Sequence, residues 1–84
     1  MYFSGGYMPS FNLRLLPMDK SARIDRITAQ GELGRRIRDM GLVPGMDIKV
    51  IGKAPLRDPV ALRIGGSTIS LRNSEADYVE VRAV

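Results

Sequence analysis

The chain has 84 residues, 44% hydrophobic and 26% charged, with a net charge of +4 and neither His nor Cys. That length fits one small domain, which at this size buries about 60% of its unfolded surface with no disulfide to add to it. The missing imidazoles and thiolates remove the common transition-metal ligands and the Ser-His-Asp and Cys-His catalytic sets. No stretch approaches the roughly 20 apolar residues of a transmembrane helix, and the start lacks the basic and apolar regions of a secretory signal. A cysteine-free chain suits a reducing cytoplasm. A charge of +4 permits an anionic partner without requiring one, because it also serves solubility.

Met1 to Asn12 mixes Gly, Ser and aromatics without a period. It reads as a flexible leader or an appended remnant, which leaves 13–84 as the folded domain. Leu13, Leu15 and Leu16 open the ordered part, and Pro17-Met18-Asp19-Lys20 reads as a turn. Ser21 to Ala29 reads as a strand whose Ile24 and Ile27 fall out of alternation, the mark of a bulge or an edge. Gln30-Gly31 then turns into a short helix. Leu33, Ile37 and Met40, spaced i, i+4, i+7, share its apolar face. Arg35, Arg38 and Asp39 fall on the opposite face, and Glu32/Arg36 and Arg35/Asp39 are opposite charges four apart. Gly41 stands where a left-handed residue ends a helix, and Val43-Pro44-Gly45-Met46 fits a type II turn.

Met46, Ile48 and Val50 alternate with Asp47, Lys49 and Ile51 as a strand, which ends in a loop edged by Pro55 and Pro59. Val60, Leu62 and Ile64 alternate next, Gly65-Gly66 makes a hairpin turn, and Ile69 and Leu71 share a face of the returning strand. Arg72 to Asp77 reads as one helical turn capped by Asn73 or Ser74. In the last strand Val79, Val81 and Ala83 point inward, with Glu80 and Arg82 outward. Five short strands and one short helix, most strands with one wet face, are accommodated most simply by a small, partly open β-barrel with the helix across one side. The expected core is Leu33, Ile37, Ile48, Val50, Leu62, Ile64, Ile69, Leu71, Val79 and Val81.

Chemistry has few places to sit. Neither Gly65-Gly66 nor the Gly31–Gly34 segment matches a phosphate-cradling loop. With no nucleophile or base constellation the chain is not expected to be an enzyme, and neither a cofactor nor a tight single-chain Fe²⁺ site is expected. Surfaces remain. Arg35 and Arg38 project from the helix, either as a solvated face or as contacts. In Ala54 to Pro59 the two prolines limit the loop's freedom, so Leu56 is presented at low entropic cost. Leu56 is either a binding side chain or a plug at one end of the barrel.

At this point the motifs resemble those of FeoA-type ferrous iron transport proteins. The helix with Met40-Gly41-Leu42-Val43-Pro44-Gly45 is similar to that family's Arg-Leu-x-x-Met-Gly-Leu-x-x-Gly core. Ala54-Pro55-Leu56-Arg57-Asp58-Pro59 is similar to its Ala-Pro-Leu-Gly-Asp-Pro, and Ile69 to Arg72 followed by Glu75-Ala76 to its Ile-x-Leu-Arg-x-x-Glu-Ala. The resemblance runs from Leu13 to Val84. Arg57 departs from the usual Gly, and Met18-Asp19 replaces a usual turn Gly.

The resemblance implies an SH3-like barrel in the bacterial cytoplasm whose partner is FeoB, a membrane iron permease with a G-protein domain. It implies an accessory role in ferrous iron uptake through protein–protein contacts, with Leu56, Arg57, Asp58, Arg35 and Arg38 as the expected contact residues. Membrane insertion is not expected, and weak self-association is allowed. The same barrel occurs as the C-terminal domain of iron-dependent repressors, so a stand-alone relative of that domain is one alternative. RNA binding is another, disfavoured because Phe11 and Tyr78 are the only aromatics after Tyr7 and single strands need stacking platforms. An arginine finger from Arg36, Arg38 or Arg57 acting on a GTPase is a third.

Overall fold

The computed structural model describes residues 9–53 and 59–84. In chain order its elements are β1 (Phe11–Asn12), a 3₁₀ turn (Leu13–Leu15), β2 (Ser21–Ile27), α1 (Gly31–Asp39), β3 (Asp47–Lys53), β4 (Val60–Ile64), β5 (Ser67–Leu71), α2 (Asn73–Ala76) and β6 (Val79–Ala83). Six strands form one antiparallel sheet in the order β1-β6-β2-β3-β4-β5. The β3-β4-β5 meander is local and follows from alternation and turn residues. The β2–β6 pairing joins residues more than fifty positions apart.

The turns form where their residues call for them. Met46 N–H donates to the Val43 carbonyl at 3.2 Å, and Gly45 holds φ 93°, the third-position conformation of a type II turn that a side chain disfavours. Gly41 ends α1 at φ 99°. At Pro17–Lys20 the expected turn closes with Lys20 N–H donating to the Pro17 carbonyl at 3.2 Å. There Asp19 holds φ 65° and is the one described non-glycine residue with positive φ. Asp tolerates this region better than most residues but still carries strain. Asp19→Gly is expected to raise the melting temperature by a few degrees, about 0.5–1 kcal/mol of relieved strain; calorimetry of the two proteins checks it.

A single core fills the space between the sheet and the helices. Ile37, Leu42, Val50, Leu62, Leu71, Val79 and Val81 are completely buried, and Leu13, Ile24, Ile48 and Ile64 nearly so. Of the ten residues expected there, eight are buried, while Leu33 and Ile69 are partly buried against the cluster. The core also takes in Leu16, Ala22, Ala29, Val60 and Ala76.

Several expectations are corrected. The sheet begins before Leu13, because Phe11 pairs with Val81 and Asn12 with Glu80. The described residues thus form six strands, not five. The phase break in β2 is a bulge between Ile24 and Arg26 and not an edge, since β2 lies between β6 and β3. Ala83 is exposed, because it ends β6 past the part of the strand that the core covers. α2 is capped from Arg72 and not from Asn73 or Ser74. The carboxylate of Glu75 accepts the Arg72 backbone N–H at 3.0 Å, which satisfies one of the orphan donors of a helix start.

The charge pairs expected along α1 do not form as read. Arg35 meets Glu32 at 3.4 Å, and Arg36 reaches across to Glu75 at 3.1 Å. Glu75 is only 6% exposed. A carboxylate that deep needs a cation and hydrogen bonds, and Arg36 supplies the cation.

Candidate functional site

The described residues enclose a cleft of about 410 Å³, lined by Asn12, Arg14, Leu15, Lys53, Val60, Asn73 and Asp77. Its position follows from chain connectivity. Lys53 and Val60 are a register pair closing the β3–β4 hairpin, and the chain between them is the segment 54–59. Thus the cleft is lined by the last residue of β3 and the first of β4, which flank the Pro-edged segment singled out in the sequence.

The 3₁₀ turn builds the opposite wall. Asn12 caps it, its side chain accepting the Arg14 N–H at 3.0 Å, and Leu16 N–H donates to the Leu13 carbonyl. Three residues per turn put Leu13 and Leu16 on the same side, into the core, and leave Leu15 outside. Leu15 is 70% exposed, the most exposed of the large apolar side chains described. The floor is tied by Asn12 Nδ2 donating to the Asp77 carbonyl at 2.8 Å and by the Arg14–Asp77 ion pair at 2.8 Å. Lys53 has no ion pair among the described residues. The cleft therefore offers two apolar side chains, Leu15 and Val60, beside an ammonium group with no carboxylate partner among the described residues. That combination suits an apolar side chain of a partner with a carboxylate nearby.

The residues expected from sequence fall in two places. Arg35 and Arg38 lie on the exposed face of α1, where Arg35 pairs with Glu32 and Arg38 has no ion pair among the described residues. Neither lines the cleft. Leu56, Arg57 and Asp58 lie outside the described residues. Sequence reasoning missed Leu15, Lys53 and Asn12. A Leu-Arg-Leu-Leu run carries no period that says which leucine faces out, so only the 3₁₀ geometry separates Leu15 from its neighbours.

Elsewhere on the surface, the hydrogen bond from the Arg23 guanidinium at 2.8 Å holds the Asp47 carboxyl below the usual carboxylate range. Among the described residues no group of three or more carboxylates gathers where a metal ion could be held. No described helix is long and apolar enough to cross a membrane.

The antiparallel sheet and its capping helices define the class, a small SH3-like β-barrel domain. The chain belongs to the FeoA domain family, whose model matches residues 11–83. It is 43% identical over 63 residues to an Fe(2+) transport protein A/Fe(2+) transporter FeoB fusion protein of Porphyromonas gingivalis; that match takes in 75% of this chain but only 8% of the fusion protein. The NMR structure of a FeoA-like protein from Clostridium acetobutylicum superposes with a TM-score of 0.83 at 36% identity, covering 89% of this chain and 87% of that one. The crystal structure of Stenotrophomonas maltophilia FeoA complexed with zinc, described as an SH3 domain protein, superposes with a TM-score of 0.73 at 31% identity, covering 84% and 88%.

Proposed function

We propose that this chain is a non-enzymatic accessory domain of ferrous iron uptake, which binds and modulates a FeoB-type GTPase permease from the cytoplasm. The observation that carries this reading is the Porphyromonas gingivalis relative, in which an FeoA-like segment and an FeoB transporter share one polypeptide. Covalent linkage holds two modules at an effective concentration that favours even a weak contact.

The contact surface we assign is the cleft with Leu15 and Lys53, extended by Leu56, Arg57 and Asp58 of the adjoining loop. The exposed arginines of α1, Arg35 and Arg38, act at its periphery. An apolar side chain of the transporter enters between Leu15 and Val60, and a transporter carboxylate pairs with Lys53. The helix arginines steer the approach, which alters association rate and salt dependence more than final affinity.

The test is titration of the purified chain against the cytoplasmic part of a FeoB-type transporter. Leu15→Asp and Leu56→Asp are each expected to weaken binding about tenfold or more, since burying one leucine contributes about 1.5–3 kcal/mol. Leu15→Asp should melt like wild type, because Leu15 is already exposed. Arg38→Ala should weaken binding slightly at low salt and not at high salt. Folded Leu15→Asp and Leu56→Asp proteins that bind like wild type and sustain ferrous iron uptake would overturn the assignment. A Leu56→Asp protein that loses thermal stability identifies Leu56 as a plug. Salt-dependent binding of single-stranded RNA in the same titration would move the reading to the nucleic-acid alternative.

A further inference from the structure

We propose that the free edge of β5, with the cationic row that leads to it, is a second docking surface, and that its occupant is an extended acidic polypeptide segment added as a strand beside β5. This surface is independent of the cleft.

Three observations meet there. Among the described residues β5 is the last strand of the sheet and pairs only with β4. Its residues, Ser67 to Leu71, include no charge and no proline, the devices that ordinarily blunt an edge. The two-residue turn makes Ile64 and Ser67 the closing hydrogen-bonded pair, so the alternation of an antiparallel ladder turns the N–H and C=O groups of Thr68 and Ser70 outward. Among the described residues no backbone bond from outside β4 reaches either of them.

The second observation is charge. On the solvent face Lys49 lies directly opposite Arg63, and Arg63 directly opposite Thr68, all three exposed. Like charges at directly opposed positions repel. The nearby carboxylate on β3, Asp47, is held by Arg23 at 2.8 Å, and neither Lys49 nor Arg63 has an ion pair among the described residues. Among the described residues an unneutralised cationic pair therefore stands one strand in from an open edge.

The third is what these charges do to the choice of occupant. A second copy pairing β5 with β5 about a two-fold axis would bring two Lys49–Arg63 rows together on the same face of the continued sheet, with no carboxylate to meet them. An acidic strand instead places its carboxylates on that face, within reach of Arg63 across β5. Its alternate side chains then lie on the other face, beside the half-buried Ile69 and the buried Leu71. The segment is thus one of alternating acidic and apolar residues, bound through main-chain hydrogen bonds with charge setting its identity.

The experiment uses the full chain and two capped pentapeptides, Glu-Val-Glu-Val-Glu and Lys-Val-Lys-Val-Lys, followed by amide NMR and hydrogen exchange. The acidic peptide is expected to protect the Thr68 and Ser70 amides, and the basic one to leave them unchanged. Arg63→Glu, a change at an exposed side chain, should weaken the acidic peptide about tenfold or more. Thr68→Pro, which removes an outward N–H that the β4 ladder does not use, should abolish the protection. Leu15→Asp should have no effect here, which separates this surface from the cleft. Equal binding of both peptides, or unchanged amides at Thr68 and Ser70, would overturn the proposal. So would a concentration-dependent dimer lost in Thr68→Pro, since that makes the occupant a second copy.

Discussion

Ile48→Ala will lower the stability of the folded chain by about 2–5 kcal/mol, the range for deleting a large aliphatic side chain from a closed core. Ile48 is 2% exposed and lies at the centre of the sheet, paired with Ala22 on β2 and with Ile64 on β4. Those neighbours are held on both sides by backbone ladders, so they cannot collapse into the space. A domain of this size has about 5–15 kcal/mol in total, and each kcal/mol shifts its melting point by about 4–8 °C. The melting temperature should therefore fall by about 8 °C at the least. Thermal and urea unfolding of the variant measure this, and a melting curve like that of wild type would refute the strand register.

Gly34→Ala is expected to be nearly as damaging, against the usual sign. Inside a helix this substitution ordinarily gains about 1 kcal/mol of propensity. Here a Cβ on Gly34 would stand 2.5 Å from the Ala29 carbonyl oxygen and 3.1 Å from its carbon. The obstacle is backbone, on the segment that connects β2 to α1, so it cannot rotate away. The helix must shift off its seat, and Ile37, fully buried one turn on, moves with it. Overpacking typically costs about 1–3 kcal/mol and occasionally more, and a clash with backbone at this distance places it above the propensity gained. Gly34→Ala should melt well below wild type, whereas Gly66→Ala, at a position with open space around it, serves as the control. A stabilised Gly34→Ala protein would show that α1 does not sit against Ala29.

Most of the fold is legible in the order of the residues. The i, i+4, i+7 spacing of Leu33, Ile37 and Met40 marks the face of α1, and period-two alternation marks β3, β4, β5 and most of β6. These signals are readable because each is set within a few residues by side-chain direction and by the steric demands of Pro and Gly. The core residues on regular elements follow from the same periods. Leu13 and Leu16 do not, because a 3₁₀ turn has its own period of three and is too short to display it.

The candidate surface is legible only in part. Leu56, Arg57 and Asp58 are picked out by the proline pair around them, which is local chemistry. The cleft is not, because it is assembled from Asn12, Leu15, Lys53, Val60 and Asp77, which come from four separate stretches of chain. No spacing rule connects them.

The same division separates what this sequence determined by itself from what the tertiary structure decided. The sequence determined the helix, the hairpins, the turns, the absence of imidazole and thiolate chemistry, and the family motifs. The tertiary structure decided that Phe11 and Asn12 join the sheet through β6, that Gly34 lies against Ala29, and that Glu75 is buried. It also decided that Arg36 serves Glu75, 39 positions away, in place of Glu32 one turn back. The reason is energetic. An exposed pair along one helix turn contributes a few tenths of a kcal/mol, whereas a buried carboxylate without a cation costs several. Which carboxylate is buried depends on how α1 and α2 pack, and that is settled only when β2 meets β6.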